Sequence, residues 1–258
     1  MQLCTPRHDA HYTGTTGLCV AAKSLAHAQP ADFALEEPSD SCGVDELSTA
    51  PTDSTWSDQN VVRGLRLDKE VELRAHEAAG RVLLRWHDRS VPASQQDREA
   101  VRVAMREKAR EAASCLESTA ALLGPEQRAL VKAASQELPE LAESLPLVYQ
   151  HGDYSTRNWL WDTESGRHGL IDFAMAHHGV GVEEFVWLCG AIWASRPDLK
   201  AACLTGYGRR LTGTEERLLR LLTVRLAVSY LNTGLFKQRC DLVDRGRLVL
   251  GRMSHEYR

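Results

Sequence analysis

The feature that most constrains the fold is a short stretch of extended sequence enclosed by helical sequence. Over residues 66–145 apolar side chains recur every three or four positions, which is the spacing of one buried helical face. The spacing of apolar residues changes at residues 147–173, where short apolar runs alternate with turn residues. Helical spacing returns over residues 183–257. The pattern therefore predicts an α+β fold in which a loop and a β-hairpin lie between two mainly helical regions.

Local signals set the expected limits of several elements. The first helical stripe consists of Leu67, Val71, Ala75, Ala78, Val82 and Trp86. A second helix is predicted from near Ser94 to Leu123, and Pro125 suits the first turn of a third helix that ends before Pro139. Thr212 and Glu215 predict a capping box for a long helix that reaches Gly234.

The amino-terminal segment differs from the rest in charge and composition. Residues 1–60 carry two basic and nine acidic side chains, a net charge of −7, and are rich in Ser, Thr, Ala and Pro. So few apolar groups cannot offset the entropy of ordering the chain. We expect a poorly ordered or reduced amino-terminal lobe over residues 1–64 and a helical carboxy-terminal lobe over residues 65–258.

Bulk properties exclude several classes of protein. The net charge of −4 indicates neither a nucleic-acid partner nor a charged membrane surface. No apolar run approaches the length of a membrane span. The seven cysteines are scattered singly with no CxxC pair, which is typical of reduced thiols rather than disulfides or a zinc site. These features predict a cytoplasmic protein, and they say nothing about its oligomeric state.

Three polar residues around the predicted hairpin carry the chemistry. Asp153 and Asn158 lie five positions apart on the loop, and Asp172 follows the second strand of the hairpin. Phosphoryl transfer needs a carboxylate to accept the proton of the attacking hydroxyl and hard oxygen ligands to hold magnesium against the phosphates. A rigid turn can present all three groups together. We predict Asp153 as the catalytic base and Asn158 and Asp172 as Mg²⁺ ligands.

The same segment resembles a known family. It reads His-Gly-Asp at positions 151–153 with Asn158, then Ile-Asp-Phe at 171–173, and so resembles the HGDxxxxN catalytic loop and IDF metal motif of the aminoglycoside phosphotransferase family. That family is the choline-kinase-like branch of the protein-kinase-like fold. The resemblance covers roughly residues 70–258 and implies an ATP- and Mg²⁺-dependent kinase of small molecules.

Supporting residues follow from the same resemblance. Residues 79–87 look like the family's helix that ends in Leu-His, and Gly181 to Phe185 look like its segment in which a glycine precedes Asp-Leu, with Glu184 at the Asp position. We expect His151 to shape the loop by hydrogen bonding, with a proton shuttle as the alternative role. Arg157 is expected to be a solvated or structural arginine, with contact to a phosphate as the alternative.

The nucleotide lobe is where the resemblance is incomplete. The family's amino-terminal sheet supplies a glycine-rich cover and a lysine that pairs with the α- and β-phosphates. Only Lys23, at the end of Val-Ala-Ala-Lys, resembles that lysine, and the glycines before it lie too close to leave room for the intervening strands. Lys23 is the candidate cofactor-binding residue of an incomplete lobe, and we expect weak ATP binding.

Two functions of different classes fit these observations. The first is an ATP-dependent phosphotransferase that acts on a hydroxyl of an aminoglycoside-like or other hydroxylated metabolite, with a role in antibiotic resistance if the acceptor is an aminoglycoside. The alternative is a truncated or degenerate relative with little catalysis, which at most binds a ligand or partner. Residues 196–258 carry a net charge of +7, which disfavours a polycationic acceptor, so a neutral or weakly charged hydroxyl compound fits equally well.

Overall fold

Helices make up most of the structure, and two small sheets lie among them. The structure is a computed structural model that describes residues 61–62, 68–88, 91–162 and 165–255. All of these belong to one compact unit, residues 35–258. Lys23 and almost all of the predicted amino-terminal lobe lie outside the described residues. Within the described ranges the α+β prediction is confirmed.

The first helix, α1 (Lys69–Asp88), packs against a later helix, α5 (Pro197–Gly206). Acidic side chains in its first turn and basic ones in its last complement the helix dipole. Its buried stripe includes Ala75, Ala78 and Val82, as predicted, whereas Leu67 lies outside the described residues. The two helices approach so closely that a Cβ on Gly206 would lie 1.8 Å from the Glu77 carbonyl oxygen, so only glycine fits there.

Two antiparallel helices follow, α2 (Gln95–Thr119) and α3 (Pro125–Glu143). Ser94 caps α2 through a capping box with Asp97, which confirms the predicted start. The prediction that the third helix ends before Pro139 is wrong, because Pro139 lies inside α3. A buried face on both sides of it, with Leu138 at 0% and Ala142 at 2% exposure, holds the helix together despite the missing hydrogen bond.

The carboxy-terminal region is built around α6 (Gly213–Phe236), which contacts α2, α3 and the last helix, α7 (Cys240–His255). The predicted capping box of Thr212 with Glu215 is present, and α6 runs two residues beyond Gly234. Its buried side chains form much of the core: Leu218, Leu219, Leu221, Leu222, Val224, Ala227, Val228 and Leu231.

The extended stretch forms two antiparallel sheets. Strand β3 (Trp159–Asp162) pairs with β4 (His168–Leu170), which confirms the predicted hairpin, and β1 (Val61–Val62) pairs with the other edge of β3. Strand β2 (Leu147–Gln150) was also predicted as extended, but its partner β5 (His177–Val180) was not. The loop of interest connects β2 to β3, so both sheets position it.

A short helical segment links the sheets to the helical region. A 3₁₀ turn at Gly181–Phe185 leads into α4 (Val186–Leu188) and a π-helical turn at Cys189–Trp193. This segment places Glu183 and Glu184 beside the loop. Of the helices in the described ranges, none has the length and apolar character needed to cross a membrane.

Candidate active site

The loop between β2 and β3 is a tight turn held by its own backbone. The Ser155 N–H donates to the Asp153 carbonyl at 2.8 Å, and the Asn158 N–H donates to the Ser155 carbonyl at 2.9 Å. A 3₁₀ turn over Thr156–Asn158 then leads directly into β3. Asp153 and Asn158 are therefore fixed relative to each other by short-range bonds rather than by distant packing.

A backbone clamp joins this loop to the segment that carries Asp172. Ile171 N–H donates to the Asn158 carbonyl at 3.0 Å, which extends the hairpin by one pair. The Ile171 carbonyl accepts from Nε2 of the fully buried His151 at 2.9 Å. Ile171 thus bonds to both ends of the loop and brings the adjacent Asp172 to the same place. The three predicted site residues lie together.

Asp172 has an uncommon backbone conformation. Its φ of 67° and ψ of 66° lie in the left-handed region, which asparagine and aspartate tolerate better than most residues. Its side chain is exposed and makes no hydrogen bond or ion pair with another described residue. A strained residue with an uncommitted carboxylate is the kind of feature that concentrates at functional sites.

Asn158 presents one defined oxygen. Its side chain is 5% exposed, and Nδ2 donates to the Asp153 carbonyl at 2.8 Å. That bond commits the amide nitrogen and leaves Oδ1 as the group available to a ligand. A carboxylate and an amide oxygen are hard donors of the kind that Mg²⁺ prefers.

The Asp153 carboxylate lies at the surface of the loop and is about one quarter exposed, at 26%. Arg157 Nη2 lies 2.5 Å from Oδ2, and the Ser155 hydroxyl donates to Oδ1 at 3.3 Å. Arg157 itself is 68% exposed. Since an exposed ion pair of this kind is weak, the Asp153 carboxylate can exchange Arg157 for another hydrogen-bond partner.

Gly152 fixes the sharp bend before Asp153. Its φ is 82°, and a Cβ at this position would lie 2.1 Å from the Met175 carbonyl oxygen. Its N–H and that of His151 are both turned toward Glu184. Side-chain-bearing residues cannot occupy this position without moving the loop.

Glu184 holds the catalytic loop by accepting hydrogen bonds from its backbone. It is 4% exposed, its Oε1 accepts a short hydrogen bond from the His151 N–H, and its Oε2 accepts from the Gly152 N–H at 3.3 Å. His87 Nε2 lies 3.8 Å from Oε1, and its Nδ1 lies 2.8 Å from the hydroxyl of Tyr207, whose pKa burial raises to about 12. Glu184 therefore holds the loop in place by accepting hydrogen bonds from two of its backbone N–H groups.

Sequence reasoning missed a cavity beside the loop. It has a volume of about 220 Å³ and is lined by Lys108, Gln150, Gly152, His177, Glu183, Glu184, Val186, Leu222 and Arg225. Lys108 comes from α2 and Arg225 from α6, so no local sequence signal joins them. Lys108 forms a short ion pair with Glu183, and Arg225 Nη1 donates to Glu111 at 2.9 Å.

The described residues offer no ready-made metal cage. Among residues 68–88, 91–162 and 165–255 no group of three His, Cys, Asp or Glu side chains lies close enough to hold a metal ion. The candidate set is smaller, with the Asp172 carboxylate and the Asn158 amide oxygen. This composition fits Mg²⁺ in kinase sites, which is held by one or two protein oxygens together with phosphates and water.

Comparison with known proteins places these features in a family. The model of the phosphotransferase enzyme family, APH, matches residues 51–222. This range includes the loop, the hairpin and most of the helices described above. A search of curated proteins finds no match.

Solved structures show the same fold. The GDP complex of wild-type aminoglycoside 2'-phosphotransferase-IIIa is 17% identical, with a TM-score of 0.52 over 73% of this chain and 64% of that one. A GDP and kanamycin complex of a related aminoglycoside phosphotransferase is 17% identical, with a TM-score of 0.54 over 75% of this chain and 66% of that one. The chain therefore spans just under two thirds of these proteins. The likeness confirms the protein-kinase-like fold with its helical carboxy-terminal lobe.

Proposed function

We propose that this chain, which belongs to the phosphotransferase enzyme family, transfers the γ-phosphoryl group of a nucleoside triphosphate to a hydroxyl of a small molecule. One observation carries the proposal. Ile171 bonds to both His151 and Asn158, and so unites Asp153, Asn158 and Asp172 on one rigid turn. Catalysis of this reaction consists mainly of positioning and charge stabilisation, which a rigid turn supplies.

Asp153 acts on the acceptor. Its partly exposed carboxylate orients the attacking hydroxyl and accepts its proton as the new P–O bond forms. The bond between the γ-phosphorus and the bridging oxygen breaks, and the nucleoside diphosphate leaves with that electron pair. The turn formed by the Asp153 carbonyl with Ser155 and Asn158 holds the carboxylate in place throughout.

Asn158 and Asp172 would hold Mg²⁺ through the amide Oδ1 and the carboxylate. When bound, the ion shields the charge of the phosphates and keeps them aligned for attack. His151 and Glu184 position the loop without touching the substrate. Arg157 keeps the Asp153 carboxylate at the surface until the acceptor displaces it.

The nucleotide itself is proposed as ATP on the family resemblance. The two structural neighbours are GDP complexes, so GTP is the first competitor to measure. Lys23, the proposed phosphate-binding lysine, lies outside the described residues. Parallel assays with ATP and GTP decide which nucleotide the chain prefers.

Substitution of the base tests the proposal. Asp153→Asn should lower turnover by about 10²–10⁴-fold, since it removes general-base catalysis while keeping the shape of the side chain. Nucleotide affinity should stay unchanged. Asp244→Asn, which changes an exposed aspartate on α7, is the matched control and should keep full turnover. Full turnover of Asp153→Asn would show that Asp153 is not the base.

A second candidate is the degenerate relative that binds ligands with little catalysis. The observation that favours it is the engagement of both Asp153 oxygens, one by Arg157 and one by Ser155. Under this alternative the parent chain binds a nucleotide or an acceptor but forms no nucleoside diphosphate, with Arg157 present or replaced by Gln. Product formation by either chain excludes it.

A further inference from the structure

Glu184, which holds the catalytic loop, lies beside a buried histidine. The side chains of Glu184 and His87 are 1% and 3% exposed, and His87 Nε2 lies 3.8 Å from Glu184 Oε1. This distance is too long for a hydrogen bond, but the electrostatic interaction is strong because water does not screen either group. His87 is the next-to-last residue of α1, so the contact joins the first helix to the segment that supports the loop.

The other ring nitrogen of His87 is fixed by Tyr207. His87 Nδ1 lies 2.8 Å from the Tyr207 hydroxyl, and the two rings meet edge to face with their centroids 5.7 Å apart. Burial raises the pKa of Tyr207 to about 12, so the hydroxyl keeps its proton at neutral pH. Phe185, which follows Glu184, packs edge to face with Tyr207 at 5.4 Å between centroids. Tyr207 therefore contacts both His87 and the residue next to Glu184.

These contacts favour one tautomer of neutral His87. A neutral imidazole has one N–H and one lone pair. With the hydrogen on Nε2, the N–H faces the Glu184 carboxylate, and Nδ1 accepts from the Tyr207 hydroxyl. The opposite tautomer would turn a lone pair toward a buried negative charge, which is unfavourable. Glu184 and Tyr207 therefore orient the ring through its two nitrogens.

A tight helix crossing sets the position of His87 relative to Tyr207. Helices α1 and α5 approach so closely that a Cβ on Gly80 would lie 2.0 Å from the Cys203 carbonyl oxygen. Gly206 is equally restricted on the other helix, and Tyr207 follows it directly. Close backbone packing leaves the two helices little freedom to slide past each other. His87 and Tyr207 therefore form a fixed support for Glu184.

We propose that His87 is a positioning residue for phosphoryl transfer. It fixes the orientation of the Glu184 carboxylate, whose two oxygens accept from the two backbone N–H groups that precede Asp153, and it thereby sets the place of the base. Tyr207 contributes by orienting His87. This inference rests on the proposed function, because it assigns a role in that reaction to buried residues outside the loop.

Kinetics of His87 variants test this role. His87→Leu removes both polar contacts and should lower kcat by about 10–100-fold with the KM for the nucleotide unchanged, because a misplacement of about 1 Å can cost about 100-fold in rate. His87→Gln should restore most of the loss, since its amide nitrogen can donate to Glu184 while its amide oxygen accepts from Tyr207. Tyr207→Phe keeps the ring and should lower kcat in the same way, but less.

A second buried histidine on α1 provides the matched control. His76 is 1% exposed, its Nδ1 donates to the Glu72 carbonyl of the same helix at 2.9 Å, and its ring packs edge to face with Trp159. His76→Leu therefore removes a buried histidine without removing a contact of Glu184, and it should leave kcat unchanged. Urea denaturation establishes that each variant is folded in the assay. If His87→Leu does not fold, His87→Gln and Tyr207→Phe carry the comparison.

Hydrogen exchange gives a measure of positioning that needs no turnover. Exchange of the His151 and Gly152 amides, followed by NMR, reports on their bonds to Glu184. Both amides should exchange about three- to tenfold faster in His87→Leu than in the parent chain, the change expected when hydrogen bonds of ordinary strength are weakened. In His87→Gln and His76→Leu the exchange should stay close to that of the parent.

The outcomes separate this inference from the proposed function. Equal kcat for His87→Leu and His76→Leu, a His87→Gln variant as impaired as His87→Leu, or unchanged exchange of both amides would each overturn the role of His87. A parent chain without turnover contradicts the proposed function, and the exchange rates then decide whether His87 orients the loop. Turnover that does not respond to the His87 substitutions contradicts only the positioning role.

Discussion

The two ends of the β3–β4 hairpin are stabilised in opposite ways. At the catalytic end, polar groups of the loop bond to one another and to Glu184, and His151 uses both ring nitrogens. At the other end, His168 packs against Trp159 and Trp161, and neither of its ring nitrogens has a hydrogen-bond partner among the described residues. The catalytic end is stabilised by hydrogen bonds. The other end is stabilised by a buried aromatic cluster in which His168 is uncharged.

The two ends should therefore tolerate different substitutions and conditions. A hydrogen-bonded loop is sensitive to the loss of a single acceptor, because a buried N–H without a partner is destabilising. An aromatic cluster with neutral histidines is instead sensitive to pH, since a proton on a buried ring has no compensating partner. Substitutions that remove a hydrogen-bond acceptor should destabilise the catalytic end, and acid should destabilise the aromatic end.

The largest effect of a single substitution on stability at neutral pH is expected at the catalytic end. Glu184→Ala removes the acceptor of the His151 and Gly152 N–H groups, and it should lower the free energy of unfolding by about 2–4 kcal/mol. Urea denaturation measures it. Glu140→Ala, which changes an exposed glutamate on α3, is the control and should have little effect. A loss for Glu184→Ala no larger than that of the control would show that the loop holds its shape without Glu184.

Acid should act at the aromatic end. Burial lowers the pKa of His168 from its ordinary 6.5 to about 3, with His76 and Arg81 adding to the effect. Below pH 6.5 His168 therefore binds a proton in the unfolded chain, whereas in the folded protein it stays neutral until about pH 3. Stability should fall by about 1.4 kcal/mol per pH unit as the pH decreases between these values, in addition to other titrations.

Replacement of His168 isolates this contribution. His168→Phe keeps an aromatic ring in the cluster and should remove about 1.4 kcal/mol per pH unit from the slope of stability between pH 4 and 6. His255→Gln, at an exposed histidine near the end of α7, should leave the slope unchanged. Chemical denaturation at several pH values gives the comparison. An identical slope for His168→Phe and the parent would mean that His168 is protonated in the folded protein.

The smallest effect is expected at the rim of the catalytic loop. Arg157→Gln removes an ion pair to Asp153 in which the arginine is 68% exposed, so the free energy of unfolding should change by less than about 1 kcal/mol. The same urea denaturation measures it. A loss of more than about 2 kcal/mol would place Arg157 in the framework of the loop, alongside Glu184.

Features that depend on neighbouring residues could be predicted from the sequence. The helix start near Ser94, the capping box at Thr212 and the β3–β4 hairpin were predicted from local patterns, and the structure confirms them. The grouping of Asp153, Asn158 and Asp172 follows from the hairpin, because closing it brings Asn158 opposite Ile171. Their chemical roles remain predictions.

Features that depend on distant residues could not be predicted. Strand β5 forms because β2 offers it an edge, and its His177-His178 start has no apolar pattern of its own. Pro139 is tolerated in α3 because tertiary packing outweighs a local helix breaker. The cavity is lined by Lys108 from α2 and Arg225 from α6, which are far apart in the chain. No local sequence pattern could therefore indicate that these two residues lie near the loop.

We propose that the Ile171 clamp makes Asp153, Asn158 and Asp172 one metal-dependent site. The decisive experiment is a Mg²⁺ titration of nucleotide turnover with the parent chain, Asn158→Ala and Asp172→Ala. We expect Mg²⁺-dependent turnover for the parent, a higher Mg²⁺ requirement for Asn158→Ala, and no turnover for Asp172→Ala at any Mg²⁺ concentration. Unchanged Mg²⁺ dependence and turnover in Asp172→Ala would contradict it.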